Sequence, residues 1–409
     1  MRILLYSYNY YPEPIGIAPL MTELAEGLVK RGHEVRVVTA MPWYPKSQIY
    51  DGYRGELYRT EERHGVKIQR CYVRTSPKRS FFNRALFELS FMVLSFFQAL
   101  RGWRPQVIIL TVPGLPVGIP ASLLGWLYRC PTVLNLQDIL PDAAVHVGLI
   151  TSQKAIKVFE TLERYNYRTA TNITVIAEGF RDNLLAKGVP DEKITLIPNW
   201  VNVDFIQPLP RETNEFRRVN GLEGKFIALY SGNIALTQGL ETAIDAAVLL
   251  RDRPNLAVVI VGEERALERL RDYCRDKGAD NVVLRPFQPR EKLPDLLAAA
   301  DVGLVIQKKN VIAFNMPSKI QVLLASGRAI VASVPAGGTA AQAIAASSGG
   351  LVVPPEDPAA LAEAIRELHD DGDRRHRLEA ASRQYALDNY AFTAALDRYE
   401  ALFAKLSKR

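Results

Sequence analysis

Cysteine is nearly missing from this chain: Cys71, Cys130 and Cys274 are the 3 cysteines in 409 residues. Odd in number, far apart and without CxxC spacing, they exclude a disulfide framework and a cysteine-based zinc site. A reducing cytoplasm is the expected compartment. Long apolar runs free of charge are also lacking. The most apolar stretch, Phe81 to Trp103, is interrupted by Arg84, Glu88 and Gln98, short of the roughly 20 predominantly apolar residues of a spanning helix. Nor does the opening Met1-Arg2-Ile3-Leu4-Leu5-Tyr6 lead into the apolar region and small-residue cleavage site of an export signal. The chain contains no GxGxxG, and no acidic residue ends its second strand-like run, so a nicotinamide or flavin enzyme is disfavoured.

What is present describes a globular protein. Hydrophobic residues make up 48% and charged residues 23%, enough for a large core and, at this length, for two domains. The net charge of +7 favours anionic partners such as phosphorylated ligands or a membrane surface. Basic residues are not interleaved with aromatics along a groove, and nucleic acid is not an expected partner. Arg70, Arg74, Lys78, Arg79 and Arg84 cluster just before or within the apolar stretch. Two readings stand for Arg79 to Trp103: a core helix packed on a sheet, or interfacial contact with an anionic membrane surface.

Short apolar runs alternate with helical patterns, the signature of βαβ units and parallel sheets, so the fold class is α/β. Ile3 to Ser7 reads as a strand, Leu20, Leu24 and Leu28 recur with helical spacing, and Val35 to Thr39 gives the next strand. Val107 to Leu110, Thr132 to Leu136, Ile173 to Ile176 and Ile194 to Ile197 follow as strands. The rhythm breaks at Pro198-Asn199-Trp200-Val201-Asn202 and through Pro208 and Pro210, then restarts near Phe226. Strands are expected over Ile227 to Tyr230, Ala257 to Val261, Val282 to Leu284, Val302 to Ile306, Ile330 to Ser333 and Leu351 to Val353. The expected domains are 1–205, 206–385 and a C-terminal helix at 386–409 packing near the domain junction. Trp200 is read as packing at that junction.

Three loops carry candidate chemistry. Gly16 precedes a helix after the first strand, where backbone can approach a ligand closely. Ser231-Gly232-Asn233 closes the first strand of the second domain, and Gln238-Gly239 opens the next helix. Pro317-Ser318-Lys319 reads as a helix start, with a proline suited to the first turn, a serine hydroxyl able to cap and a free cation. That combination suits an anion, and equally an ordinary capped helix. Asp371-Gly372-Asp373 looks like a metal-binding DxD, but Asp-Gly is first of all turn chemistry.

Taken in order, Gly16, Arg31-Gly32-His33-Glu34-Val35, Ile197-Pro198-Asn199-Trp200-Val201, Ser231-Gly232-Asn233, Ala300-Asp301-Val302, Met316-Pro317-Ser318-Lys319, Ala325-Ser326-Gly327 and Val352-Val353-Pro354-Pro355 make the chain resemble the GT-B glycosyltransferases of family 4 over nearly its whole length. Within that family it is similar to the colanic-acid type fucosyltransferases of bacterial exopolysaccharide synthesis. The resemblance implies two Rossmann-like domains with parallel sheets facing a cleft, the C-terminal helix crossing back. It implies transfer, retaining and metal-independent, from a GDP- or UDP-linked sugar to a glycan or lipid-linked acceptor, in the cytoplasm or on the inner face of the plasma membrane. No cofactor is expected beyond the nucleotide sugar as co-substrate. Donor binding falls to Gly16, Gly232, Asn233, Gln238, Ser318 and Lys319. Two departures bear on this: Asn233 and Gln238 stand where many members carry Arg and Lys, and Phe314 and Val322 where the family has a pair of glutamates. Glu241 is left as a ribose candidate, or a solvated helix residue.

Asp138 follows a buried-looking strand, where a carboxylate can orient or deprotonate an acceptor hydroxyl, or simply cap a helix. Asp142 is its alternate, and His146 and Glu178 complete the acceptor candidates, each with a structural reading beside the functional one. A non-catalytic GT-B subunit of a polysaccharide assembly complex remains an alternative, as does a nucleotide-sugar epimerase, which the few histidines support poorly.

Overall fold

The structure is a computed structural model that describes residues 1–14, 16–76, 81–112, 114–142, 152–235 and 237–407. Lys78, Arg79 and His146 lie outside the described residues. The chain forms two compact units: one of Met1–Ile176, Phe180–Ile197 and Leu396–Arg409, the other of Ala177–Gly179 and Pro198–Ala395.

The first unit is built on an eight-stranded sheet in the order β3-β4-β2-β1-β5-β6-β7-β8. The strands are β1 (Arg2–Tyr6), β2 (Glu34–Ala40), β3 (Tyr58–Arg63), β4 (Val66–Cys71), β5 (Val107–Val112), β6 (Thr132–Leu136), β7 (Asn172–Val175) and β8 (Ile194–Leu196). All neighbours run parallel except β3, which pairs antiparallel with β4. The sequence reading placed no strand between Thr39 and Val107. The hairpin escapes it because β3 is Tyr-Arg-Thr-Glu-Glu-Arg, a charged edge strand with no apolar run, as edges that resist further pairing tend to be. Central strands such as β5 are buried at every residue, as expected where helices cover both faces.

Helix α1 (Ala18–Lys30) buries Met21, Leu24, Ala25 and Leu28 against this sheet, close to the spacing read from the sequence. Helix α2 (Phe81–Ala99) settles the two readings of the apolar stretch in part: Phe87, Phe91 and Ser95 are buried, as a sheet-packed helix requires. Its opposite side stays exposed. Helix α3 (Gly118–Tyr128) packs beside it. The end of α2 is fastened from below by Arg36, which is fully buried. Its Nη1 donates to the Ala99 carbonyl at 2.8 Å and to Gln69 Oε1 at 2.8 Å, and Nη2 donates to the Trp103 carbonyl at 3.1 Å. Leu396, Tyr399, Leu402, Phe403 and Leu406, from the helix Phe392–Ser407, are buried as well. Arg31 reaches Asp397 at 2.8 Å and Glu400 at 2.9 Å, which ties that helix to the end of α1.

The second unit has a six-stranded, all-parallel sheet in the order β11-β10-β9-β12-β13-β14. Its strands are β9 (Phe226–Ser231), β10 (Leu256–Gly262), β11 (Val282–Pro286), β12 (Val302–Ile306), β13 (Ala329–Ser333) and β14 (Gly350–Val353). Chain direction across this sheet reverses between β9 and β12. That is the switch point of an open α/β sheet, where loops at the carboxyl ends of the strands separate and leave a crevice. The Trp200 ring packs on Phe392, with centroids 5.1 Å apart. Asp371 accepts a hydrogen bond from the Arg374 N–H at 2.8 Å and caps the helix Gly372–Asn389, so Asp371-Gly372-Asp373 serves as turn and cap.

Candidate functional site

A cavity of about 520 Å³ opens at that switch point of the second unit. Its floor is the loop Ser231-Gly232-Asn233, which leaves β9, and Ile306-Gln307, which ends β12. Gly232 has φ +143°, a conformation side chains disfavour, and a Cβ there would stand 3.2 Å from Lys319 Nζ. The glycine therefore lets the lysine lie against the loop backbone. Gly232→Ala is expected to weaken nucleotide binding and to destabilise the fold by about 1–2 kcal/mol, read from calorimetric titration and thermal denaturation of one preparation.

Lys319 is the electrostatic centre. Its Nζ is buried without a hydrogen-bond partner and lies 3.5 Å from the centroid of the Tyr230 ring, a cation–π contact. Tyr230 is held in place by donating its hydroxyl to the Asn233 carbonyl at 2.7 Å. Burial lowers the Lys319 pKa to about 7, because a desolvated ammonium with no counter-charge is costly. Arg290 lines the same cavity, and no Asp or Glu does among the described residues. A site with two cations and no carboxylate is suited to an anion.

The helix start differs from expectation in one respect. The helix is only Lys319–Ala325, and Ser318 occupies the cap position without a side-chain cap bond. Seven residues make a small macrodipole, so the attraction rests on the Lys319 charge, with the Ser318 hydroxyl left to face the cavity it lines. Gln238 also lines the cavity, and its Oε1 accepts from the Ala235 N–H at 2.8 Å, which shapes the loop where a cation was expected. Val322 lines the wall, while Phe314 is buried. Glu241 opens the helix Glu241–Leu249 and is paired with Arg269 at 2.6 Å, and it is not among the residues lining the cavity.

Gln307 was not anticipated. It is 5% exposed, and its Nε2 is buried with no partner although it lines the cavity. A lone glutamine after a strand carries no sequence signal. Its significance comes only from β12 lying next to β9. Asn315, in the chain after β12, and Phe287 and Gln288, in the chain after β11, line the cavity as well.

In the first unit, Gly16 has φ +73°, and Tyr44 stands at an ordinary 3.5 Å from where its Cβ would be, so backbone conformation is what calls for glycine. The neighbouring loop is pinned by the buried Glu13. Its carboxylate accepts from the Trp43 and Tyr44 N–H groups, both at 2.8 Å, and from Asn9 Nδ2 at 2.7 Å. Asp138 lies just beyond β6, half-buried, with Oδ1 accepting from the Ile139 N–H at 2.9 Å. Burial raises its pKa, against the opposing pull of that N–H. Asp142 is engaged otherwise: Lys187 at 3.0 Å and Asn183 at 3.1 Å share its Oδ2, and Lys187 also pairs with Glu163. Glu178 opens the helix Glu178–Ala186 and belongs with the second unit, and His146 lies outside the described residues.

Comparison with known proteins accords with this geometry. Residues 16–200 match the Glycosyl transferase 4-like domain and residues 212–385 the Glycosyl transferases group 1 domain. An Escherichia coli (strain K12) protein described as a colanic acid biosynthesis glycosyl transferase, WcaI, is 36% identical over 375 residues, 90% of this chain and 92% of that protein. An uncharacterized glycosyltransferase of Methanocaldococcus jannaschii is 26% identical over 96% of both chains. Among solved structures, Anabaena HepE in complex with UDP superposes with a TM-score of 0.73 at 16% identity, covering 99% of this chain and 100% of that one. The lipopolysaccharide glycosyltransferase WaaG superposes with a TM-score of 0.64 at 16% identity, over 99% of both. With both domains matched in order and a glycosyltransferase relative aligned across nearly its full length, this chain belongs to the family 4, group 1 glycosyltransferases and has their GT-B fold.

Proposed function

We propose that the cavity of the second unit holds the nucleoside diphosphate of an activated sugar, with Lys319 against the phosphates. The observation that carries this is the buried Lys319 ammonium, without a hydrogen-bond partner, in a cavity that Arg290 also lines and no Asp or Glu lines among the described residues. The relatives support the donor class: HepE was solved with UDP, and a Mycobacterium tuberculosis relative, 27% identical over 267 residues, is a GDP-mannose-dependent mannosyltransferase. The bond from the anomeric carbon to the diphosphate oxygen breaks, a bond to an acceptor hydroxyl forms, and the nucleoside diphosphate leaves against Lys319 and Arg290. Two cations in place of carboxylates suit a metal-independent departure. Retention of anomeric configuration follows the family reading.

The first unit is assigned the acceptor, with Asp138 orienting or deprotonating its hydroxyl; Gly16, in the first loop, is assigned to donor binding. By analogy with WcaI the acceptor is a glycan or lipid-linked intermediate of cell-surface polysaccharide synthesis. The protein then works as a peripheral enzyme on the inner face of the plasma membrane, in contact through the Arg79–Trp103 segment.

A thermal-shift and transfer screen over UDP, GDP and their sugars tests this. Stabilisation by one nucleoside diphosphate together with sugar transfer is the expected result. Binding without turnover assigns a non-catalytic subunit, to which the missing glutamates at Phe314 and Val322 would point. Release of an epimerised nucleotide sugar overturns the transferase reading. Gln307→Leu removes an unsatisfied buried amide, so it is expected to leave thermal stability equal or higher while raising KM for the nucleotide sugar about tenfold.

A further inference from the structure

The solvent side of α2 is apolar along its length. Phe82 is 68% exposed, and Leu89, Val93 and Phe97 follow, with Leu100 just past the helix end. On the neighbouring α3, Leu123 and Leu127 are exposed and Trp126 is 79% exposed. Exposed large apolar residues gathered on adjoining helices indicate a surface that is covered in use.

The exposed charge on these two helices and at their carboxyl ends is basic. Helix α3 contains no charged residue. The one acid of α2, Glu88, is buried and engaged by Tyr8 and Arg84. Arg101 follows the end of α2, Arg129 is the C-cap of α3, and Arg104 donates to the Tyr128 carbonyl at 2.7 Å. All three arginines are exposed. The carboxyl ends of both helices thus carry arginines, Arg129 and Arg104 at the end of α3 and Arg101 past the end of α2, where its guanidinium lies over the Tyr58 ring at 4.3 Å.

We propose that α2 and α3 together form a monotopic membrane face that seats in the headgroup layer of an anionic bilayer, with Trp126 and Phe97 inserted and Arg101, Arg104 and Arg129 on the lipid phosphates. This rests on the peripheral-membrane part of the function proposed above. It deepens that part by bringing in α3, which the sequence did not single out. Amphipathic aromatics with arginines at their edge match the boundary between acyl chains and anionic headgroups. A second copy of this chain fits less well, because a two-fold contact would bring these arginine-bearing helix ends together. Spanning is excluded for these helices, since no helix among the described residues is long and apolar enough to cross a membrane. The Arg36 clamp on the Ala99 and Trp103 carbonyls holds α2 to the sheet, so the face docks as built rather than by peeling a helix away.

Vesicle flotation of the full chain tests the proposal, using phosphatidylcholine alone and phosphatidylcholine with phosphatidylglycerol. The wild type is expected to float with the anionic vesicles and to be released by salt. Trp126→Ser with Leu127→Ser, and separately Arg101→Glu with Arg129→Glu, are each expected to reduce bound protein about tenfold. The thermal midpoint and its shift with nucleoside diphosphate should stay unchanged, which separates loss of the face from loss of fold or of the donor site. Flotation by wild type and both variants alike overturns the role of α3 and leaves a peripheral enzyme with another contact. Failure of the wild type to float overturns both. Wild-type dimers in light scattering that the Trp126→Ser, Leu127→Ser variant abolishes, without flotation, assign the face to a second copy instead.

Discussion

Lys319→Ala is expected to lower affinity for the nucleoside diphosphate by roughly 30- to 1,000-fold, the range for removing one partner of a buried charge pair. Isothermal titration calorimetry with UDP and GDP measures it, and undiminished binding would remove the phosphate role. The empty protein should respond in the opposite direction. An unfolded lysine titrates near 10.4, whereas burial holds Lys319 at about 7. Below about pH 7 the ammonium is charged in both states and its burial cost opposes folding in full. Between that value and about 10.4 the unfolded chain binds a proton that the folded chain lacks, so the cost fades as pH rises. Lys319→Met should therefore stabilise the ligand-free protein at pH 7 and below, by about 1–3 kcal/mol, with the gain shrinking at alkaline pH. Binding carries the converse signature. Above about pH 7 the diphosphate must recruit a proton onto Lys319, and affinity should fall by up to about tenfold per pH unit, in Lys319-containing protein only.

Asp138→Asn is expected to reduce turnover by about 10²- to 10⁴-fold, the scale of general acid–base catalysis. Nucleoside diphosphate binding should not change. The substitution is close to isosteric, and the asparagine Oδ1 can still accept from the Ile139 N–H, so the loop is retained while the charge is lost. Burial raises the carboxyl pKa, so the rate should climb with pH along an acid limb that Asp138→Asn abolishes. Transfer assays at saturating donor measure this, and full turnover by the variant would sink the assignment.

Much of the fold could be read from the chain because parallel strands buried on both faces leave continuous apolar runs. β6 and β12 match the sequence reading residue for residue. The β3–β4 hairpin left no such trace, since its outer strand is polar. At the candidate site, Lys319 and Gly232 were legible because a lysine after Pro-Ser and a glycine after a strand are local signals. Gln307 and Arg290 were not: they sit in separate polar loops, and only the placement of β12 beside β9 and the course of the chain after β11 bring them to one cavity. Glu241 shows the reverse case, a carboxylate near the right loop in sequence that Arg269 claims in space. The apolar stretch after Ser80 posed a choice between core and surface that the helix resolves by serving as both, with Phe87 and Phe91 inside and Phe82 and Phe97 outside.

The return of the chain to the first unit at Leu396 sets the order in which the protein can be completed. During synthesis the eight strands of that unit emerge early, yet the sites that receive Tyr399, Leu402 and Phe403 stay vacant until the segment from Leu396 has left the ribosome. All of the second unit but Ala177–Gly179 is made in between, from Pro198 to Ala395. The first unit therefore closes only after the second has been made, and a nascent chain ending before Leu396 exposes an apolar seam beside α1, the kind of surface chaperones and aggregation act on.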